Sequence, residues 1–420
     1  MIDSRTAGPG DLFVGLVGEH SDGGDYAAGA LAAGAWGVLA RSAQLEALAG
    51  TGAGALLAVE DPLAALGSLA RAWRRELGAR VVAITGSTGK TSTKDILAAL
   101  LSPLLETVAS PLNHNTEIGL PLAILAAPAG TQALVLELAM RAPGQIAELT
   151  EICEPDVGVI VSIGPAHIER LGSLEAIAAA KAELIAGLRP GAVAVLPSVE
   201  PLLEPHLRAD VEVIRFGPGG EVSLLQSDER GVSISVRGRR VLLEPNFHSA
   251  HLLEDLCAAL AASAALGLEV ADGPLEVAFS GLRGERLSLP GGVLVINDCY
   301  NANPMSMRAA LQELATTAAG RRVAVLGDML ELGGPDEERY HRELGEQARA
   351  AGVELLVTVG ARAVWTGAGF GDGEGEHLHA TDASGAAAAL RERLRSGDTV
   401  LVKGSRGVAL EHVAELLAGD

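Results

Sequence analysis

Short apolar runs alternate along the chain with longer stretches whose apolar residues recur every three or four positions. The runs at 81–85, 133–139, 157–163 and 192–197 are typical of buried strands, and residues 93–104 follow the first of them with helical spacing. Strands that alternate with helices indicate a mostly parallel sheet covered by helices. The pattern therefore predicts an α/β protein.

The first 79 residues predict a small mixed unit. Short strands are expected within 12–18 and 55–61, and a helix that leads into a strand is expected over 26–40. Residues 63–79 have the apolar spacing of a helix, and Gly78 is a suitable stop signal.

Two later regions differ from each other in pattern. The short apolar runs within 211–245 are separated by turn residues, so we expect an antiparallel patch beside the main sheet. From 282 onward strands and helices alternate again, as in a Rossmann-like domain. We therefore predict three domains: a mixed N-terminal domain over 1–79, a central parallel-sheet domain over 80–281, and a Rossmann-like C-terminal domain over 282–420.

Composition narrows the classes of function. The 53 acidic and 32 basic side chains give a formal charge of −21, which argues against a nucleic-acid partner. Cys153, Cys257 and Cys299 form no CxxC pair, so neither a disulfide framework nor a cysteine zinc site is expected. The chain shows neither a signal-peptide pattern nor an apolar stretch of membrane-spanning length. We expect a cytoplasmic monomer that does not insert into membranes.

The strongest local motif is the glycine-rich segment GSTGKT at 86–91, between a predicted strand and a predicted helix. Glycines allow close backbone approach to an anion, and the amides at a helix N-terminus favour phosphate. Lys90 supplies charge for the β- and γ-phosphates, and Thr91 supplies a hydroxyl for Mg²⁺. Ile84 stands where the usual eight-residue motif has glycine, so this is a shortened phosphate loop in a P-loop ATPase-like domain.

Three further residues have positions suited to chemistry. Glu137 and His167 follow predicted parallel strands, and ligands bind at the carboxyl ends of such strands. Lys181 lies in a helix that is apolar nearly all round, so burial should lower its pKa. A neutral amine can react with CO₂ to form a carbamate, although a lysine at a helix edge can instead extend its charge to solvent.

The phosphate loop and several other stretches resemble the Mur ligases, ATP-dependent amide-forming enzymes of peptidoglycan synthesis, and the resemblance covers almost the whole chain. It is strongest to the branch that adds D-alanyl-D-alanine to UDP-N-acetylmuramoyl-tripeptide. The stretches that carry it are Asp3–Arg5, Pro9–Phe13, Asn113–Pro121, Asn297–Met307 with YNANP at 300–304, Leu326–Gly333 and Lys403–Arg406.

The resemblance implies a role for each candidate residue, with ATP and Mg²⁺ as cofactors and the UDP-linked tripeptide and the dipeptide as substrates. The catalytic residues would be Lys90, His167, Lys181 and one of Arg283 and Arg286, between which the sequence does not decide. The metal ligands would be Thr91, Glu137, His167 and carbamylated Lys181. The ATP contacts would be Gly86, Ser87, Thr88, Gly89, Lys90, Thr91, Ser92, Asp255, Asp298, Asn301 and Asp328. The substrate contacts would be Ser4, Arg5, Asn115, Thr116, Asn303, Lys403 and Arg406.

Some features depart from the family pattern or leave alternatives open. The N-terminal domain is shorter than usual for the family, and Asp255 replaces an asparagine that would contact adenine. Asp328 could cap a helix rather than bind ribose. The alternative functions are another Mur-type or folylpolyglutamate-type amide ligase, or a nucleotide-dependent binding module without ligation.

Overall fold

The computed structural model describes residues 1–50, 52, 54–111, 113–166, 168–228, 230–371, 373 and 375–419. Across these residues the strands form three separate sheets of three, ten and six strands. None of the helices in these ranges is long and apolar enough to cross a bilayer. The predicted α/β class is confirmed, and each sheet falls within one of the ranges 1–79, 80–281 and 282–420.

The first sheet is small and parallel. It consists of β1 (Leu12–Val14), β2 (Gly37–Arg41) and β3 (Ala55–Val59), in that order, with helices α1 (Ala27–Ala32) and α2 (Ser42–Leu45). Phe13, Leu31 and Val38 are buried in its core. Short 3₁₀ turns complete this region and recur later in the chain: Ser4–Thr6, Gly23–Tyr26, Glu46–Leu48, Pro201–His206, Pro290–Gly292 and Arg406–Val408.

Helix α3 (Pro62–Leu77) joins the first sheet to the second. Asp61 caps its first turn by accepting a hydrogen bond from the Leu63 amide at 2.8 Å, and Gly78 ends it with a φ of 62°. The predicted stop at Gly78 is therefore confirmed, since glycine adopts this left-handed conformation without steric cost. Trp73 Nε1 donates to the Ala127 carbonyl at 3.0 Å, which fixes the helix against the second unit.

The second sheet is largely parallel and holds the glycine-rich segment. Its strands lie in the order β13-β12-β11-β10-β9-β8-β7-β4-β6-β5. The strands are β4 (Arg80–Thr85), β5 (Thr107–Ala109), β6 (Ala133–Glu137), β7 (Val157–Ile160), β8 (Val193–Pro197), β9 (Glu212–Phe216), β10 (Val222–Asp228), β11 (Gly231–Val236), β12 (Arg239–Pro245) and β13 (Gly273–Leu275). The helices are α4 (Lys90–Leu101), α5 (Gly119–Leu125), α6 (Gln145–Cys153), α7 (Ile168–Leu171), α8 (Leu174–Gly187) and α9 (Ala250–Ala265).

Both faces of this sheet are buried. Along β4, Val82 and Ile84 belong to the cluster that packs with α4 and α9, whereas Val81 and Ala83 belong to the cluster that packs with α6 and α8. Successive side chains of a strand point to opposite faces, so a strand covered on both sides is apolar without interruption. This explains the continuous apolar run that predicted β4.

The prediction of an antiparallel patch over 211–245 is correct for only part of that range. Strands β10, β11 and β12 pair antiparallel, but β9 pairs parallel with β8 and continues the main sheet. Parallel neighbours need a crossover, and here it contains the turn at Pro201–His206, in which Leu203 is buried. This segment has no helical periodicity, so the crossover was missed.

The third sheet has strand order β14-β15-β19-β16-β17-β18 and helices on both faces. Only β14 pairs antiparallel with its neighbour. The strands are β14 (Glu285–Leu289), β15 (Val293–Asn297), β16 (Arg322–Gly327), β17 (Leu355–Val359), β18 (Glu376–Ala380) and β19 (Thr399–Lys403). The helices are α10 (Pro304–Thr317), α11 (Glu337–Ala350), α12 (Ala363–Phe370), α13 (Ala383–Arg391) and α14 (Glu411–Ala418).

Sequence analysis missed β14, β18 and α12. Both strands are short and mostly exposed or half-buried, so they lack an apolar run. Helix α12 contains glycines, which disfavour helix in isolation. At Gly369 a Cβ would lie 2.0 Å from the Arg342 carbonyl oxygen, so glycine is what allows α12 to pack closely on α11.

Candidate active site

The glycine-rich segment forms a closed loop between β4 and α4. Gly89 takes a φ of 77° immediately before α4, and a Cβ there would lie 2.3 Å from Asp255 Oδ1. Lys90 Nζ donates to the Gly86 carbonyl at 2.8 Å, so its ammonium lies over the loop, and Ser92 lies in the first turn of α4. The loop amides and the N-terminus of α4 thus form the anion-binding arrangement that the motif predicts.

The segment after β7 holds this loop in place. Ser87 Oγ donates to the Gly164 carbonyl at 2.9 Å and accepts from the Gly164 amide at 3.0 Å. The Thr88 amide donates to Ser162 Oγ at 2.9 Å. These contacts order the loop before any ligand binds, which reduces the entropic cost of binding. Sequence analysis missed Ser162, although its position after a parallel strand was a usable signal.

Glu137 lies at the carboxyl end of β6, beside the loop. Its Oε2 accepts from Thr91 Oγ1 at 2.6 Å, and its Oε1 accepts from Asn115 Nδ2 at 2.9 Å. Thr116, next to Asn115, is half-buried, and its carbonyl accepts a hydrogen bond from the Leu120 amide. The structure therefore brings together Thr91, Glu137 and Asn115, which were predicted separately.

The donor set at Glu137 suits Mg²⁺. Mg²⁺ prefers oxygen ligands and is usually held by one or two carboxylates together with substrate phosphates. A threonine hydroxyl and a carboxylate next to a phosphate loop fit that description. Within the described ranges no three histidine, cysteine, aspartate or glutamate side chains converge as a protein-only metal site. His167, the other predicted ligand, lies outside the described residues.

Lys181 lies in the middle of α8, and only 2% of it is exposed. Burial, and to a smaller extent the nearby Lys90 ammonium, lower its pKa well below the ordinary value. Burial also lowers the pKa of Lys90, with Glu137 opposing the shift and Arg283 adding to it. Lys90 is thus within electrostatic reach of Glu137, Arg283 and Glu331, and it also acts on Lys181.

The two candidate arginines have different surroundings. Residues 276–284 form the connection between the second and third sheets. Arg283 lies on this connection, with its guanidinium carbon 4.0 Å from the centre of the Tyr300 ring. Its charge contributes to the pKa shifts of both Lys90 and Asp255. Arg286 lies on β14 and forms an exposed ion pair with Glu313 at 3.2 Å. Arg283, rather than Arg286, is therefore within electrostatic reach of Lys90 in the phosphate loop.

The third sheet contacts the phosphate loop through the N-terminus of α10. Asn303 caps α10 by a reciprocal pair of hydrogen bonds with Ser306, and its side-chain amide donates to the Ser87 carbonyl at 3.4 Å. Met305 packs on Gly164 so closely that a Cβ there would lie 1.9 Å from its sulfur. The YNANP motif therefore lies directly against the loop, and the packing of Met305 had no signal in the sequence.

Lys403 is buried at the end of β19, where it organises the YNANP segment. Its Nζ donates to Asp298 Oδ2 at 2.7 Å, to the Asn301 carbonyl at 3.0 Å and to the Asp298 carbonyl at 3.3 Å. Asn301 Oδ1 accepts from the Ala302 amide at 2.8 Å. These three acceptors use the three donors of an ammonium. A substrate contact for Lys403 stays a prediction.

Two predicted ATP contacts are buried acids. Asp328 Oδ1 accepts from the amides of Arg362 and Ala363 at 3.0 and 2.7 Å, so it binds the first turn of α12, which matches the helix-capping alternative. Asp255 lies against Gly89, and its pKa is raised, first by burial and then by Glu254. Neither placement tests the predicted contacts with ribose and adenine.

The remaining predicted substrate contacts, Ser4, Arg5 and Arg406, have no hydrogen bond or ion pair with the phosphate loop among the described residues. Ser4 and Arg5 belong to the first 3₁₀ turn, and exposed Arg5 pairs with Asp3 at 2.6 Å. Arg406 is exposed and pairs with Glu411 at 2.8 Å. The Arg5 pair is exposed on both sides and contributes about 0–1 kcal/mol, whereas the Glu411 side chain is largely buried. Substrate contacts for Ser4, Arg5 and Arg406 stay predictions.

Comparison with known proteins agrees with this architecture. Residues 84–263 match the model of the Mur ligase middle domain, and residues 282–406 match that of the Mur ligase glutamate ligase domain. A UDP-N-acetylmuramoyl-tripeptide–D-alanyl-D-alanine ligase of Bacillus subtilis (strain 168) is 34% identical, with 98% of this chain and 91% of the relative covered.

Two solved structures resemble the whole chain. MurF from Acinetobacter baumannii has a TM-score of 0.88 at 27% identity and covers 100% of this chain and 93% of its own. MurF ligase from Thermotoga maritima, solved in complex with ADP, has a TM-score of 0.86 at 30% identity and covers 100% and 96%. The shared sheets, the phosphate loop and these matches show that the chain belongs to the Mur ligase family.

Proposed function

We propose that the chain is an ATP-dependent ligase that joins D-alanyl-D-alanine to the terminal carboxylate of UDP-N-acetylmuramoyl-tripeptide in the cytosol. The observation that carries this proposal is the convergence of Lys90, Glu137, Lys181 and Arg283 at a phosphate loop that the YNANP segment also contacts. Relatives similar over nearly the full chain carry that ligase name, and one neighbour was solved with ADP.

The proposed reaction has two steps. A carboxylate oxygen of the tripeptide bonds to the γ-phosphorus of ATP, the bond to the β-phosphate oxygen breaks, and ADP leaves. The amine of D-alanyl-D-alanine then attacks the carbonyl carbon of the acyl phosphate, loses a proton and expels phosphate. The product amide therefore forms with one ADP and one phosphate for each bond made.

The residues of this chain would stabilise charge and position groups during these steps. Lys90 and the loop amides would bind the β- and γ-phosphates, and Arg283 would stabilise charge on the transferred phosphoryl group. Thr91 and Glu137 would hold Mg²⁺, which when bound neutralises phosphate charge. The packing of Asn303 and Met305 against the loop would exclude water from an acyl phosphate that hydrolyses readily.

Lys181 would act through a carbamate. Its lowered pKa favours the neutral amine, whose nitrogen can bond to the carbon of CO₂ and release one proton to solvent. The carboxylate so formed would carry negative charge beside the Lys90 ammonium and would offer the oxygen ligands that a second Mg²⁺ needs. We propose this modification from the position of Lys181 beside Lys90 and from the family resemblance.

Further proposals concern the assembly of the chain, its partners and the roles of its three ranges. The chain acts as a monomer without a nucleic-acid partner or membrane insertion. Residues 1–79 hold the UDP-sugar portion of the substrate, 80–281 hold ATP, and 282–420 close over them. These proposals rest on the distribution of sheets and on the acidic, cysteine-poor composition.

Replacing Arg283 is expected to damage catalysis far more than replacing Arg286. Arg283→Ala removes a cation close to Lys90 and should lower kcat about 10²-fold, in line with the loss of one electrostatic donor. Arg286→Ala removes only an exposed pair with Glu313 and serves as the matched control, with kcat expected within about twofold. Steady-state phosphate release measures both. Equal losses in the two variants would contradict the assignment of Arg283.

The function is tested by ATP-dependent phosphate release with a panel of acceptors. D-alanyl-D-alanine should stimulate release when UDP-N-acetylmuramoyl-tripeptide is present, and single amino acids or glutamate with a folate should not. Stimulation by another acceptor would favour a different Mur-type or folylpolyglutamate-type ligase. ATP binding without phosphate release for any acceptor would instead favour a nucleotide-dependent binding module.

A further inference from the structure

The connection between the second and third sheets is fastened to helix α4. The Ser280 amide donates to Asp95 Oδ2 at 2.8 Å, and Ser280 Oγ donates to Asp95 Oδ1 at 3.2 Å. Asp95 lies on α4, the helix that begins at Lys90 of the phosphate loop. Both oxygens of one carboxylate therefore hold one residue of the connection, three positions before Arg283.

Buried polar contacts link Asp95 to the backbone of Glu137, the residue proposed to hold Mg²⁺. Lys94 Nζ lies 3.1 Å from Asp95 Oδ1 and donates to the Ser110 carbonyl at 3.0 Å. Ser110 Oγ in turn accepts from the Glu137 amide at 3.1 Å. Lys94 and Ser110 are each only 2% exposed. In a poorly solvated interior such a chain of contacts is stiff, because any unpaired member would be costly.

The other end of the connection is held by the third sheet. The Leu282 carbonyl accepts from the Tyr300 amide at 3.2 Å, and the Arg283 guanidinium lies 4.0 Å from the centre of the Tyr300 ring. Leu282 has a φ of 62° and Gly284 a φ of 69°. For leucine this conformation is strained, so the contacts at Ser280 and Tyr300 must hold it in place.

We propose that Asp95 is a positioning residue for phosphoryl transfer, because its bonds to Ser280 direct Arg283 toward the phosphate loop. The inference rests on the proposed function and extends it, since among the described residues the Asp95 carboxylate pairs with Ser280 and Lys94 rather than with the loop. Arg283 Nε is buried and has no hydrogen-bond acceptor among the described residues. Its orientation is therefore set by the backbone of the connection and by the Tyr300 ring, rather than by a partner of its own.

The placement of Ser280 also locates the hinge. Ser280 is bonded to α4, whereas Leu282 and Arg283 contact Tyr300 of the third sheet, so rotation between the two would centre on Gly281. An added Cβ at Gly281 would meet no neighbouring atom within 4 Å, so no side chain or backbone atom packs against that face of the residue. Because a misplacement of Arg283 by about 1 Å can cost about 10²-fold in rate, loss of the Asp95 contacts should have a large effect on turnover.

The test compares Asp95→Ala and Asp95→Asn with the unmodified protein. Asp95→Ala should lower kcat about 10- to 100-fold, with KM for ATP changed less than about threefold, because nucleotide binding is kept while Arg283 is misdirected. Asp95→Asn keeps an acceptor oxygen for the Ser280 amide and should recover kcat to within about fivefold. In an Arg283→Ala background, Asp95→Ala should cause no further loss.

Controls separate this role from a general effect on folding. Asp272, which accepts from the Leu242 amide at 2.9 Å at the far edge of the same sheet, supplies the matched control, and Asp272→Ala should leave kcat unchanged. Thermal unfolding of each variant is measured in parallel. A lower unfolding temperature with unchanged kcat in Asp95→Ala, or an undiminished loss in the Arg283→Ala background, would overturn the inference. If the unmodified protein releases no phosphate with the dipeptide, the proposed function fails first and the inference falls with it.

Discussion

Replacing Lys90 with alanine is expected to lower ligation at least about 10³-fold. The Lys90 ammonium lies over the phosphate loop and has Glu137 and Arg283 within electrostatic reach. Removing one preorganised donor from such a site typically costs about 10²–10³ in rate, and Lys90 would contact both the leaving and the transferred phosphate. Single-turnover phosphate release measures the loss directly.

The Lys90→Ala protein should remain folded. The variant loses one hydrogen bond to the Gly86 carbonyl, worth about 1 kcal/mol, but it also removes a cation whose pKa is lowered by burial. Arg80→Ala, which removes a cation from the start of the same strand β4, is the control and should keep normal turnover. Near-normal turnover of Lys90→Ala would refute the assignment of the phosphate loop.

Replacing Lys181 with alanine is expected to lower kcat about 10²-fold or more. Lys181 is buried beside Lys90, and as a carbamate it would place negative charge and oxygen ligands next to that ammonium. The unmodified enzyme should lose activity in CO₂-free buffer and regain it with bicarbonate, whereas Lys181→Ala should not respond to bicarbonate. Steady-state phosphate release with and without bicarbonate measures both effects.

The stability of Lys181→Ala has a predicted sign. The pKa of Lys181 is lower in the folded state than the value of about 10.4 for an exposed lysine, so below that pH burying this group costs free energy. In CO₂-free buffer, where Lys181 is a free amine, its removal should therefore leave the unfolding temperature unchanged or raise it. Glu175→Ala, in the first turn of the same helix, is the control for activity. A bicarbonate response in Lys181→Ala would contradict the carbamate role.

Local pattern was enough to predict the three sheets and the phosphate loop. The apolar run of β4 and the loop after it are properties of neighbouring residues. The rule that ligands gather at the carboxyl ends of parallel strands placed Glu137 near Thr91, and the two side chains do form a hydrogen bond. Features that depend on one element and the loop after it could therefore be predicted from the sequence.

Contacts that depend on which elements become neighbours in the fold could not be predicted from the sequence. The contact of Met305 with Gly164 and that of Ser280 with Asp95 join residues far apart in the chain. Lys403 illustrates the same limit, because its three acceptors come from a segment about one hundred residues earlier. A substrate contact and a buried structural contact look alike in sequence until the fold supplies the partners.

The central claim is that the chain forms an amide with D-alanyl-D-alanine through an acyl phosphate. The most direct measurement uses UDP-N-acetylmuramoyl-tripeptide labelled with ¹⁸O in its terminal carboxylate, together with ATP, Mg²⁺ and the dipeptide. Mass spectrometry should find the UDP-linked pentapeptide and phosphate carrying one ¹⁸O atom for each amide formed. Unlabelled phosphate, or phosphate release without the pentapeptide, would contradict the account.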